Sequence, residues 1–283
     1  MVIDCISIAN KILNKAHQDF ESFKKRGINP KMVVIKINDD KASEKYVSFK
    51  IKKAQELGIQ AEIIGNDIKN EKQLIDKIIE LNNDDSIHGY IIQLPLPVNF
   101  DREKIFEYID IRKDIDGLSN LAVSRNTIGS KLFHPKACTA NGIVQIIKDV
   151  GYELEGKNIV IINASVIVGI PLFGQLLSER ATVTICHSKT KNLAEITKKA
   201  DVIISAVGVP NFITKEMVDD NAFVVDVGIN VFNNKIVGDV KFDEVSSKVK
   251  YITPVPNGVG KLTVAMIFKN LVDLIKEQYN ERI

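Results

Sequence analysis

Short apolar runs rich in valine and isoleucine alternate along the chain with longer stretches in which apolar residues recur every three or four positions. Continuous or alternating apolar runs read as strands, and the longer period reads as helices with one buried face. The pattern predicts an opening amphipathic helix over 6–25 that stops at Gly27. A strand over 31–37 follows, then a helix over 42–57 ended by Gly58, a strand over 60–64, a helix over 71–82 and a strand over 87–92. The run Gln93-Leu-Pro-Leu-Pro97 extends neither strand nor helix, because proline lacks the amide hydrogen and fixes φ. A second series begins near 140, with helices over 141–150, 169–179 and 191–198 and strands over 158–162, 181–185, 201–205 and 222–227. A hairpin turning at Asn233-Asn234 and one long amphipathic helix over 261–279 close the chain. Strands alternating with helices indicate βαβ units, so the fold class is α/β with mainly parallel sheets. At 283 residues two domains are expected. We place them at 1–140 plus 261–283, the last helix returning to the first domain, and at 141–260.

Composition narrows the function. Hydrophobic residues make up 45% and charged residues 26%, enough for two cores under an ordinary surface. The net charge of +2 is spread along the chain without a basic block, which argues against nucleic acid or a membrane surface as main partner. Cys5, Cys138 and Cys186 are far apart, and His17, His88, His134 and His187 lack ligand spacing, so neither a disulfide framework nor a metal site is expected. The opening residues lack a cleavable signal pattern and no apolar run has membrane-spanning length, so a soluble protein of the reducing cytoplasm is expected.

Several segments carry candidate chemistry. Tyr46 and Lys50 stand four residues apart on a predicted helix and share one face. An aromatic platform beside an amine suits a flat substrate that needs proton transfer, although a helical Tyr/Lys pair is also common on a solvated surface. Gln93 sits at a strand end before Pro95 and Pro97, where a neutral amide can bond an amine without adding charge; a plain turn residue would look the same. Lys113-Asp-Ile-Asp116-Gly117 places two carboxylates in a tight loop, suited either to the two parallel N–H groups of an aminopyrimidinone edge or to an ordinary Asp-Gly turn.

In the second series, strand 158–162 runs through Asn163-Ala-Ser165 into Val168-Gly169, where a helix opens. Strand, small-residue loop and helix start together suit a pyrophosphate, although of the usual glycine fingerprint only Gly169 has a counterpart. The next strand ends in Cys186-His187-Ser188-Lys189 with no carboxylate from Ala181 to Lys191, which favours a 2′-phosphate over a free ribose hydroxyl. Loops at Ser205–Pro210 and Asp226–Asn230 leave strands on the same sheet edge, and Thr253–Gly260 bends sharply before the last helix.

In their order and separations these segments resemble the bifunctional methylenetetrahydrofolate dehydrogenase/cyclohydrolase family over essentially the whole chain. The carriers are Ala42-Ser-Glu-Lys-Tyr46-Val-Ser-Phe-Lys50, Gln93-Leu-Pro-Leu-Pro97, Lys113-Asp-Ile-Asp116-Gly117, Cys138-Thr139 with Gly142, and Ser165 with Val168, Gly169 and Pro171. Asp226-Val-Gly-Ile-Asn230, Gly238-Asp239-Val240 and Ile252-Thr-Pro-Val-Pro256 continue the match. The resemblance implies a folate-binding catalytic domain followed by a Rossmann-like NAD(P)-binding domain. It implies oxidation of 5,10-methylenetetrahydrofolate with NADP+ and hydrolysis of the methenyl product to 10-formyltetrahydrofolate. By the family pattern Lys50 is the acid–base residue of the hydrolytic step, Gln93 tunes it, Tyr46 stacks on the folate and Asp116 holds the pterin ring. Leu94, Pro95, Pro256, Gly258 and Val259 complete the implied folate contacts. Asn163, Ala164, Ser165, Val168, Gly169, His187, Ser188, Lys189, Val207, Gly208, Gly228 and Ile229 form the implied cofactor set. A homodimer joined through the cofactor domains and an active site between the domains are implied as well.

The chain departs from the family pattern in places. Asn163 replaces the glycine that usually opens the cofactor loop, Ala164 and Ile170 stand where an arginine is often found, and Ala137-Cys-Thr-Ala140 and Asn257-Gly-Val-Gly-Lys261 replace more proline- and glycine-rich versions. Three alternatives stay open: a cyclohydrolase with a weak or NAD-linked dehydrogenase, a different two-domain NAD(P)-dependent dehydrogenase, and a folate- or nucleotide-binding protein without turnover.

Overall fold

The computed structural model describes residues 1–38 and 40–280, leaving aside the side chains of Lys41, Ala42 and Lys45. The first half contains α1 (Cys5–Lys25), β1 (Lys31–Ile35), α2 (Lys41–Glu56), β2 (Gln60–Ile64), α3 (Glu71–Asn82), β3 (Gly89–Ile92), α4 (Arg102–Glu107) and α5 (Asn120–Thr127). Next come α6 (Cys138–Asp149), β4 (Asn158–Ile162), α7 (Gly169–Ser178), β5 (Thr182–Cys186), α8 (Leu193–Thr197) and β6 (Val202–Ser205). The chain ends with β7 (Phe223–Asp226), β8 (Asn230–Phe232), β9 (Lys235–Val237), α9 (Phe242–Val245), β10 (Tyr251–Ile252) and α10 (Val259–Gln278). The expected α/β architecture with parallel sheets is observed. Helices α4, α5 and α9 have no counterpart in the hydrophobic pattern, because four to eight residues are too few to display a helical period.

The chain divides into two compact units. The first comprises Lys11–Arg125, Lys131–Lys136 and the chain from Ile267 onward; the second comprises Met1–Asn10, Asn126–Ser130 and Ala137–Met266. The division therefore falls inside α1 and inside α10.

In the first unit β1 is the middle strand of a parallel sheet ordered β2-β1-β3. Its run Met32-Val-Val-Ile35 is wholly buried, as a strand covered on both faces must be, whereas edge strand β2 is mostly exposed. Phe20 and Phe23 of α1 meet edge to face in the core, with ring centroids 6.4 Å apart. Local signals set the helix starts: Asp40 caps α2 by accepting the Ser43 N–H at 2.7 Å, and Asn70 caps α3 through Gln73 at 3.0 Å. All three strands deliver their carboxyl ends to one edge.

The second unit holds a five-stranded parallel sheet ordered β10-β7-β6-β4-β5. The apolar strands β4, β6 and β7 are central and buried, while Thr-Val-Thr-Ile-Cys of β5 alternates and lies at the edge. Between β4 and β6 the chain leaves the sheet on one side and returns on the other, which places a switch point at the carboxyl end of β4. The turn expected at Asn233-Asn234 joins β8 and β9, with both asparagines at positive φ.

Candidate active site

Residues on α2 and after β3 converge at the carboxyl edge of the first unit's sheet. Lys50 lies two and a half turns into α2 and is only 8% exposed, so its long side chain runs inward rather than into solvent. Its Nζ donates to Gln93 Oε1 at 3.0 Å, and Gln93 Nε2 donates to the Leu94 carbonyl at 2.7 Å. The two bonds fix which way the amide faces, since a flipped group would turn N–H at the Lys50 N–H donor and oxygen at a carbonyl. Further bonds pin the same segment: Asn38 Nδ2 donates to the Pro95 carbonyl at 2.6 Å, and the Ser43 hydroxyl lies 3.3 Å from the Leu94 carbonyl. The Leu94–Pro95 peptide is cis. Tyr46, one turn before Lys50, keeps 40% of its surface exposed, and partial burial pushes its phenol above the ordinary tyrosine range. A half-open ring thus stands beside an inward-facing amine.

The loop 113–117 sorts its two carboxylates. Asp114 is buried and accepts the N–H groups of Gly117 at 2.9 Å and Ser119 at 2.7 Å, and burial drives its pKa upward. Asp116 is only partly buried. Asp114 is therefore the loop's organiser, and Asp116 is the less buried of the two carboxylates. Asn270 of α10, 1% exposed, donates to the carbonyls of Ile115 and Lys136 at 2.8 Å each and so steadies this loop. Sequence reasoning missed Ser43 and Asn270 as supports, because each acts on backbone groups far away in the chain, and it did not separate Asp114 from Asp116, because only burial distinguishes the two.

In the second unit the expected cofactor residues gather at the carboxyl edge of the five-stranded sheet. Asn163 follows β4 directly; its Oδ1 accepts from Ser165 N at 2.9 Å, Ser165 Oγ at 2.7 Å and Gly169 N at 3.0 Å, and its Nδ2 donates to the Ala206 carbonyl at 2.7 Å. The asparagine thus ties the β4–α7 loop to the residue after β6 and takes up one backbone donor of the loop, Ser165 N, and one at the helix start, Gly169 N. A Cβ on Gly169 would lie 2.0 Å from the Asn163 carbonyl oxygen, so only glycine lets helix and loop approach this closely. Ala164 is exposed, and Ser165 and Val168 are half-buried. His187, Ser188 and Lys189, after β5, are all exposed. Val207 and Gly208 follow β6, and Gly228 and Ile229 follow β7, with Ile229 51% exposed. Asp226, buried at the end of β7, has its carboxyl pushed up to about 6 by desolvation, against the pull of three backbone N–H donors. Pro256, Gly258 and Val259 belong to this second unit, whereas Tyr46, Lys50, Gln93, Leu94, Pro95 and Asp116 belong to the first. Among the described residues no group of three or more His, Cys, Asp or Glu could hold a metal ion.

One parallel α/β unit with loops and a helix start at its switch point, and another with a buried amine at its strand ends, define a two-unit α/β protein of the kind that binds nucleotides. The comparisons specify which. Residues 3–116 match the family model of the tetrahydrofolate dehydrogenase/cyclohydrolase catalytic domain, and residues 137–279 match that of its NAD(P)-binding domain. The chain therefore belongs to the tetrahydrofolate dehydrogenase/cyclohydrolase family. It is 60% identical over 283 residues, covering 100% of both chains, to the bifunctional protein FolD of Malacoplasma penetrans. The crystal structure of the bifunctional FolD dehydrogenase/cyclohydrolase of Campylobacter jejuni superimposes with a TM-score of 0.95 at 40% identity, covering 98% of this chain and 99% of that one. The Trypanosoma brucei FolD, solved with NADP and an inhibitor, gives 0.91 at 31% identity, covering 99% and 98%.

Proposed function

We propose that Lys50 is the acid–base residue of methenyltetrahydrofolate hydrolysis, held by Gln93, in a bifunctional enzyme that also oxidises 5,10-methylenetetrahydrofolate with NADP+. The observation that carries this reading is the 3.0 Å bond from a nearly buried lysine to a neutral amide. A carboxylate partner would hold the amine as an ion pair; the amide oxygen positions it without a countercharge, leaving it able to pass protons. Water adds to the methenyl carbon and Lys50 takes the proton this water sheds; Lys50 then gives that proton to N5 as the carbon–N5 bond breaks, while the carbinol O–H loses its proton to solvent, leaving 10-formyltetrahydrofolate. Tyr46 offers its half-exposed ring to the pterin, and Asp116 accepts paired N–H groups from the aminopyrimidinone edge. Leu94 and Pro95 contribute on the same unit.

NADP+ supplies the hydride acceptor for the oxidative step. The donor set suits it: Ser188 and Lys189 offer a hydroxyl and an ammonium after β5, where no carboxylate competes for a ribose hydroxyl. Asn163, Ala164, Ser165, Val168, Gly169 and His187 form the phosphate side of the site, and Val207, Gly208, Gly228 and Ile229 the nicotinamide side. The enzyme is a cytoplasmic homodimer in this reading. Support for the dimer comes from the β8–β9 hairpin, where Val231, Phe232 and Ile236 are 76%, 48% and 51% exposed. Among the described residues no helix is long and apolar enough to cross a membrane.

Replacing Lys50 by methionine keeps the aliphatic stem and removes the amine. Lys50→Met is expected to lower methenyl hydrolysis by at least about a thousandfold, within the range that general acid–base groups contribute, while folate affinity by calorimetry stays within about threefold. Hydrolysis that survives in this variant removes Lys50 from the mechanism.

A further inference from the structure

Asp226 and Asp239 are carboxylates buried to 2% and 0% exposure, and neither belongs to the Lys50 site. A buried carboxylate is unfavourable unless donors surround it, and here the donors are specific. Asp226 Oδ1 accepts the backbone N–H of Gly228 at 3.0 Å and of Asp239 at 2.9 Å, and its Oδ2 accepts that of Val240 at 2.9 Å. Asp239, held in this way, turns its own carboxylate toward the end of β6. Its Oδ2 accepts the Val207 N–H at 2.7 Å and the Ser205 hydroxyl at 3.1 Å. Its Oδ1 accepts the Val209 N–H at 3.1 Å and the Asn230 side-chain amide at 3.0 Å. Glycines make the room: a Cβ on Gly228 would lie 2.1 Å from Asp239 Oδ1, and one on Gly238 would lie 1.8 Å from Asp226 Oδ2.

The sheet does not need this arrangement to hold together. Strands β6 and β7 are paired by their own backbones as far as Ser205 and Asp226, and Val227 N bonds the Ser205 carbonyl at 2.8 Å. The Val207 and Val209 N–H groups that Asp239 grips lie beyond the last β6–β7 pair, Ser205 with Asp226, outside any strand ladder. We propose that Asp239, itself held by Asp226, is the positioning residue that fixes the Val207–Val209 loop and Asn230 for the cofactor. The proposal rests on the reading of Val207, Gly208, Gly228 and Ile229 as cofactor residues. It gives Gly238-Asp239-Val240 a role: the glycine admits one carboxylate and the aspartate supplies the other.

Asp239→Asn tests it with little change of shape, because an amide NH2 then faces a backbone N–H and one side of the clamp opens. The bifunctional enzyme carries its own folding control, since hydrolysis depends on the first unit's Lys50. Expected are an NADP+ dissociation constant raised at least tenfold by calorimetry and methenyl hydrolysis within twofold of the parent. Faster amide exchange at Val207 and Val209, but not at Ile203 and Ile204 within β6, is expected with it. Unchanged exchange at Val207 and Val209 overturns the clamp. Faster exchange with unchanged NADP+ affinity overturns instead the reading of these loops as cofactor loops, and the positioning role with it. Should Asp239→Asn not fold, the milder double variant Ser205→Ala/Asn230→Ala removes two of the four donors and is judged by the same measurements, with a smaller rise in dissociation constant expected.

Discussion

Lys189 is one of 38 basic residues in the chain, and nothing in its immediate neighbours marks it out. Its position does. It follows an edge strand whose carboxyl end faces the same way as those of β4 and β6, and no acidic side chain occurs from Ala181 to Lys191. In the cofactor site proposed above, an ammonium at this place would discriminate by charge, because a 2′-phosphate interacts with it and a ribose hydroxyl does so only weakly. Lys189→Ala is expected to weaken NADP+ binding about tenfold, equivalent to about 1.4 kcal/mol, and to leave NAD+ binding nearly unchanged. Parallel titrations with the two cofactors measure this. An equal loss for both assigns the lysine to general electrostatics rather than to phosphate recognition. Lys50 shows the same dependence on place. On α2 it is one lysine among several, and what separates it is an inward path that ends on Gln93.

Elements carry the next layer of meaning. Helix α7 begins where β4 ends, and its first residue is held against the strand end with no space for a side chain. The Asn163 amide then takes the first free N–H of the helix for itself, so the loop is tied in place by its own side chain. Gly169→Ala drives a methyl group into the Asn163 carbonyl and separates helix from strand. NADP+ affinity is expected to fall at least about tenfold, with a lower melting temperature for the second unit and hydrolysis at Lys50 retained. Calorimetry and a thermal melt followed alongside hydrolysis decide it, and undiminished affinity would mean that the phosphates do not use this helix start. Helix α2 follows a similar logic, with Asp40 capping the turn from which Tyr46 and Lys50 count forward at helical spacing.

At the scale of the molecule, the chain forms two compact units, each with its own parallel sheet. The hairpin β8–β9 adds nothing to either core, since Val231, Phe232 and Ile236 remain outside. Large apolar side chains on a two-stranded ribbon are unfavourable in water, and a second copy of the chain is the partner we assign to them. Val231→Asp/Phe232→Asp is expected to convert the dimer to a monomer in sedimentation velocity while leaving each unit folded. A parent chain that sediments as a monomer at micromolar concentration rules the dimer out.

Much of this is legible in the sequence. Continuous apolar runs at β1, β4, β6 and β7 announce strands buried on both faces, because only parallel sheets covered twice tolerate them. Gly27 and Gly58 mark turns through their left-handed backbone, and Gln93-Leu-Pro-Leu-Pro97 marks a strand end, since proline cannot pair. These are local rules, and local rules are written in order along the chain. What no local rule contains is the choice between like residues far apart: Asp114 turned inward and Asp116 left accessible, Lys50 rather than Lys52 or Lys53 set against Gln93, Asp239 gripping a loop some thirty positions before it. Those choices depend on burial and on which backbone donors remain unpaired after the sheets have formed. Only the folded chain settles them.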